Sequence, residues 1–425
     1  MKEFIQNTEI SRLLETIKAK GLDKKVYSDI VDEKGNQYVD LVQEGGGVLG
    51  IALVGYTYML EKAGIRFFSL AGTSAGAINT MMIAGMGKIG EPVSEKILKI
   101  LSEQNLFDFV DGPSKIKSII QRYIEGKPFL AISVALNASL IWNTMKSNLG
   151  INPGNSFEQW ITKNLSDAGI KNMTDLEAMR AQVPKLLDRE SKKELQRQAG
   201  LKIITSDITS KSKITFPEMS ELYWPNPKSV NPAKFVRASM SIPFFFHPFR
   251  VDNIPNAGKR EDEKLPKEQT IWYKHTGYRG TIPSTARFVD GGMLSNFPIN
   301  AFHVDNGVPK KPTFGARLST WREEISKTDS IGGMMGAMIS TMRQLHDYDF
   351  LLKNPDYSQL ICNIDADAKR DKNGELEFNW LDFNMPRAKQ VDLFALGARK
   401  AVEFLEKFDW ANYLKIRREL ATTVK

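Results

Sequence analysis

The stretch SLAGTSAGAINTMM, residues 69–82, decides how the rest of the chain is read. A strand-like run, Phe67 to Ala71, meets Gly-Thr-Ser-Ala-Gly and then becomes small and apolar residues at helical spacing. Gly72, Ser74 and Gly76 fit G-x-S-x-G, in which the serine occupies a tight strand-to-helix turn. The glycines remove side chains that would clash there and tolerate unusual backbone angles. The Ser74 hydroxyl then stands clear of the sheet, and a helix over 75–84 aims its positive end at any developing oxyanion. The same five residues also suit an ordinary βα turn without chemistry, so their meaning depends on what accompanies them.

Upstream, YVDLVQ (38–43) reads as a strand, EGGGVLG (44–50) as a loop, Val48–Glu61 as an apolar helix capped by Gly64, and Ile65–Ala71 as the next strand. This is a parallel βαβ unit. Amides at Gly45, Gly46 and Gly47 lie where strand gives way to helix, a place suited to holding an anion. The loop lacks the Lys-Ser/Thr of a phosphate-binding P-loop. G-x-G-x-x-G can be laid on Gly45, Gly47 and Gly50, but no acidic residue follows at the required distance. Downstream, ARFVDGG (286–292) is a strand ending at Asp290, followed by Gly291 and Gly292. A carboxylate there is placed either to serve a site as a base or to close an Asx-turn.

Three motifs in this order, EGGGVLG, GTSAG and VDGG, closely resemble those of the patatin-like phospholipases. FVRASMSIPFFFHPF (235–249) and INPGNSFEQWI (151–161) resemble further segments of that family. The resemblance implies a three-layer α/β/α patatin-like fold with a mostly parallel central sheet and a helical insertion. It implies Ser74 as nucleophile, Asp290 as general base, and an oxyanion hole at Gly45, Gly46, Gly47 and Ala75. Gly50, Gly72, Gly76, Gly291 and Gly292 support these motifs. It further implies a lipid acyl hydrolase of phospholipase A or lysophospholipase type, without cofactor or metal, meeting membrane or micellar lipid. Two departures stand out. Leu49 occupies the position where the family carries Arg or Lys, and Glu44 the position where Asp is common.

Along the chain, residues 1–34 read as a helical extension and 35–410 as one catalytic domain. That domain carries a helical insertion at about 93–200 and a polar insertion at about 251–285; 411–425 reads as a basic tail. The apolar run 129–142 is a core helix or a lid. Met334, Met335, Met338 and Met342 fall near one helical face and read first as core filling. DKNGEL (371–376) reads as a hairpin, and the preceding acidic residues fail the pattern of a calcium loop.

The net charge of +8 is mild for 425 residues, and the basic clusters 191–198 and 415–420 lack the interleaved aromatics of a nucleic-acid platform. With one cysteine, Cys362, no internal disulfide forms. No secretory signal or transmembrane run is visible, which points to the cytoplasm with peripheral membrane contact. Two rivals remain. One is a Ser-Asp-His hydrolase using His303 or His346, which follow Asp290. The other is a catalytically weak lipid-binding member of the fold, to which Leu49 lends support.

Overall fold

The computed structural model describes residues 1–124, 137–260, 270–305, 307–320, 325, 328–329, 331–368 and 377–423. Its centre is a ten-stranded sheet. With the two strands of a separate pair included, the strands of the described residues are β1 (Ile30–Asp32), β2 (Gln37–Gln43), β3 (Ile65–Thr73), β4 (Gly150–Asn152), β5 (Leu186–Asp188) and β6 (Leu201–Asp207). They continue with β7 (Ser212–Phe216), β8 (Phe244–Phe246), β9 (Phe249–Asp252), β10 (Thr285–Asp290), β11 (Thr313–Arg317) and β12 (Ile361–Asn363). The main path runs β12-β11-β2-β3-β6-β10-β9. Neighbours are parallel from β12 to β6, and β10 then pairs antiparallel with both β6 and β9. The separate pair β4–β8 is parallel.

Every residue of β2 is buried, as a strand sandwiched between helical layers requires. The helices that position the site are α1 (Ile51–Lys62), α2 (Ala75–Gly85), α3 (Ser114–Ile124), α4 (Ala138–Asn148), α5 (Ala233–Ser239), α6 (Ile331–Lys353), α7 (Arg387–Lys407) and α8 (Trp410–Thr423). Helix α1 is nearly all apolar and nearly all buried. It packs backbone to backbone on α7, because Gly55 faces the Phe394 carbonyl and Gly397 faces the Ala52 carbonyl with no Cβ between. The parallel βαβ reading therefore holds, with a short 3-10 turn at Gly47–Gly50 preceding α1.

The basic C-terminal stretch is helical as far as Thr423, and α8 buries Tyr413, Leu414 and Arg417 between its exposed basic residues. The N-terminal extension likewise places Phe4, Ile10 and Ile17 in the main core. Met334, Met338 and Met342 are exposed rather than core filling, since α6 turns Asp347 and Leu351 inward instead. The polar insertion contains a helix, Ile271–Thr276, anchored by buried Trp272. The hairpin at 371–376, residues 129–136 of the apolar run, and the side chains of Met335 and His346 lie outside the described residues. Among the described residues, no helix is long and apolar enough to cross a membrane.

Candidate active site

β3 ends at Thr73, and Ser74 follows at φ 52° and ψ −118°, a backbone conformation that non-glycine residues rarely adopt. The turn closes because Gly72 lies against the Gly76 carbonyl and Gly76 against the Gln43 carbonyl. Ser74 caps α2, and its own amide donates to Ser239 Oγ at 2.9 Å. Ser239 Oγ donates in turn to the Ile204 carbonyl at 2.6 Å. The elbow is thus tied to β6 and to α5, which carries the Arg-Ala-Ser segment.

Asp290 closes β10 on the same edge. Ser74 Oγ donates to Asp290 Oδ2 at 2.6 Å, while Asp290 Oδ1 accepts from the Gly292 amide at 2.7 Å. One oxygen thus closes an Asx-turn and the other accepts the serine hydroxyl. Both residues are buried. The antiparallel register sets Asp290 opposite Thr205, and its amide donates to Ser241 O at 2.8 Å, so the carboxylate is held from two sides.

The glycine loop crosses beside them. Gly45 packs against Ser74 Cβ, and its amide donates to the Asn296 carbonyl at 3.0 Å. Among the described residues, no acceptor takes the amides of Gly46, Gly47 or Ala75. Gly47 sits at φ 55° against the Trp380 carbonyl, where a Cβ has no room. Glu44 anchors the loop from below. Its Oε2 accepts from the amides of Leu318 and Ser319 at 2.6 and 2.8 Å. Its Oε1 accepts from Ser319 Oγ and Asn296 Nδ2 at 2.6 and 3.1 Å. Leu49 points into the hydrophobic core, so the loop brings backbone amides to the site and no side-chain charge.

A cavity opens from Ser74, Gly47 and Ala75. Its walls are apolar: Ile51 and Val54 of α1, Ile78 and Met82 of α2, Phe109, Phe157, Trp160, Met240 and Phe383. Such a wall suits a hydrocarbon chain.

A second buried acid lies nearby. Asp347 accepts from Ser295 Oγ at 2.8 Å and from the Phe297 amide at 2.7 Å, and burial pushes its carboxyl up to about 7. The Ser295 carbonyl accepts from Thr73 Oγ1 at 2.9 Å, which links Asp347 to the residue before Ser74. His303 lies elsewhere: its Nδ1 meets the Tyr357 hydroxyl at 2.7 Å and its ring packs against Phe350. Among the described residues, no group of His, Cys, Asp and Glu is placed to hold a metal ion.

The structure sets Ser74, Asp290, Gly46, Gly47 and Ala75 close together, whereas the Gly45 amide, expected in the oxyanion hole, is engaged by the Asn296 carbonyl. Sequence reasoning missed Ser239, Asn296 and Asp347. Ser239 was visible inside the Arg-Ala-Ser segment, but its partner is a backbone amide 165 residues away.

The site is a strand–serine–helix elbow beside a carboxylate and a glycine loop on an α/β sheet. Residues 41–303, more than half of the chain, match the family described as patatin-like phospholipase, and the chain belongs to that family. It is 30% identical over 375 residues to the uncharacterized protein YqhO of Bacillus subtilis (strain 168), spanning 88% of this chain and all of that one. Among solved structures it is similar to VipD from Legionella pneumophila (TM-score 0.40, 15% identity, 90% of this chain and 71% of that one). It is also similar to the ExoU–SpcU complex from the type III secretion system of Pseudomonas aeruginosa (TM-score 0.35, 14% identity, 88% and 52%).

Proposed function

We propose that the protein is a serine acyl hydrolase of phospholipase A or lysophospholipase type, working through a Ser74–Asp290 dyad. The observation that carries the reading is the 2.6 Å bond from Ser74 Oγ to Asp290 Oδ2 at the mouth of an apolar cavity. Ser74 Oγ attacks the ester carbonyl carbon as Asp290 takes its proton. The oxyanion forms against the amides of Gly46, Gly47 and Ala75, backed by the N-terminus of α2. The leaving alkoxide takes the proton back from Asp290 and departs. Water, deprotonated by Asp290, then attacks the acyl-serine and frees the fatty acid. The acyl chain lies in the cavity throughout.

Direct contact between serine and carboxylate favours a dyad over a triad, and His303 is engaged by Tyr357 instead. The Gly46 and Gly47 amides, which no acceptor among the described residues takes, favour an enzyme over a binding protein, since they can serve an oxyanion. The test is lipid mass spectrometry after incubation of the purified protein with a mixed lipid extract. Free fatty acid and the matching lysolipid or deacylated product should accumulate, and Ser74→Ala should abolish both. A folded protein that changes no lipid contradicts the reading.

A further inference from the structure

Two bulky apolar residues stand side by side in strained, exposed positions next to the cavity. Phe244 has φ 67° and is 51% exposed; Leu149 has φ 60° and is 47% exposed. They are neighbours because Gly150, which follows Leu149, pairs with Phe244 across β4–β8. Leu149 caps α4 in the left-handed conformation, a position that glycine or asparagine fills at lower cost. Trp142, two turns earlier on α4, is 69% exposed. Neither burial nor backbone preference accounts for such residues here, and strain of this kind persists where it serves a function.

The patch is continuous with the cavity. Phe245 stacks on Phe383 at 5.3 Å between ring centres, and Phe383 lines the cavity that Ser74 faces. Beyond Asp111, which the Gly154 and Ser156 amides hold, helices α3 and α4 carry only positive charge. Residues 112–124 and 137–152 contain Lys115, Lys117, Arg122 and Lys146 and no aspartate or glutamate. The first of these stretches is held against β4, where the Gly112 amide donates to Asn152 Oδ1 at 2.9 Å. Exposed aromatic and aliphatic side chains with Lys146 one turn from Trp142 on α4 match the interface of an anionic bilayer, apolar below and negatively charged above.

We propose that Phe244, Leu149 and Trp142 enter the headgroup region of an anionic lipid bilayer, with Lys115 and Lys146 on lipid phosphates. The contact sets the cavity beside the membrane from which substrate is drawn. The inference rests on the lipid-ester reading for its purpose, but binding can be measured without turnover.

The experiment uses the full chain carrying Ser74→Ala and vesicles of phosphatidylcholine, alone or mixed with phosphatidylglycerol. Sedimentation should show preference for the mixed vesicles, weakened by salt. Adding Phe244→Asn and Leu149→Asn should reduce partitioning about tenfold, the scale of losing two part-inserted side chains. Asparagine tolerates the left-handed backbone, so the unfolding midpoint should hold or rise. In the Ser74-intact background the two asparagine changes should leave turnover of a short soluble ester unchanged. Equal partitioning of the folded asparagine variant and its parent, or equal binding to both vesicle types, overturns the proposal. Vesicle binding that follows this pattern in a protein unable to turn over any ester supports the surface and counts against the hydrolase reading alone.

Discussion

Ser239 Oγ accepts a hydrogen bond from the Ser74 amide at 2.9 Å and donates one to the Ile204 carbonyl at 2.6 Å. A side chain on α5 thereby fixes the backbone of a residue held in a strained conformation, and the direction of the Ser74 hydroxyl depends on it. Ser239→Ala should fold, since it removes one oxygen, but should lower kcat about ten- to a hundredfold with KM little changed. Steady-state kinetics on a short ester checks this; an unaltered kcat would show that the elbow holds its shape unaided.

Glu44 bridges the glycine loop to the residues after β11 through the Leu318 and Ser319 amides. Glu44→Ala leaves those donors without their acceptor and frees the loop carrying Gly46 and Gly47. Stability should fall by about 2–4 kcal/mol, together with activity. Glu44→Asp, one methylene shorter, should retain the charge and still lose much of the activity. Denaturant melts paired with ester turnover test both, and full activity in the alanine variant would refute the bridging role.

The order of the three motifs made the elbow, the loop and the aspartate legible, because each is local and needs particular residue types. Gly72, Ser74 and Gly76 announce a tight turn, and β2, β3 and α1 announce themselves by burial on both faces. What joins distant segments was not legible. Nothing in the sequence says that Ser239 meets the Ser74 amide, that Asp347 lies under Ser295, or that Glu44 reaches past β11. The methionines of α6 misled because a stripe of Met334, Met338 and Met342 has the same spacing whether it faces core or solvent. In α8 the basic residues conceal, in the sequence, that Tyr413 and Leu414 lie on the inward face.

Asp347 should make stability depend on pH in the direction opposite to a paired carboxylate. Its folded carboxyl stands at about 7, above the ordinary value of 3.8, so the folded state holds this proton after the unfolded state has lost it. Its contribution is favourable at low pH and is lost as pH rises from about 4 to about 7. Unfolding midpoints of the parent and Asp347→Asn across that range should show the parent falling more steeply. Parallel curves would mean that the buried carboxyl is not coupled to folding.

Ile78 lines the cavity one turn beyond Ser74. Ile78→Phe should fill part of the acyl path while leaving Ser74 and Asp290 in place. The ratio of kcat/KM for long- over short-chain esters should fall about tenfold or more, as pocket contacts of this size allow. A ratio that does not move would place the acyl chain somewhere else.

The central claim is that Ser74 is a nucleophile activated by Asp290 without a histidine. Peptide mass spectrometry after exposure of the folded protein to a fluorophosphonate tests it most directly. A single adduct on Ser74 is predicted, formed at near the parent rate in His303→Ala, greatly slowed in Asp290→Asn and absent in Ser74→Ala. An unlabelled Ser74 in the folded parent, or labelling that survives Asp290→Asn at full rate but fails in His303→Ala, would contradict the account.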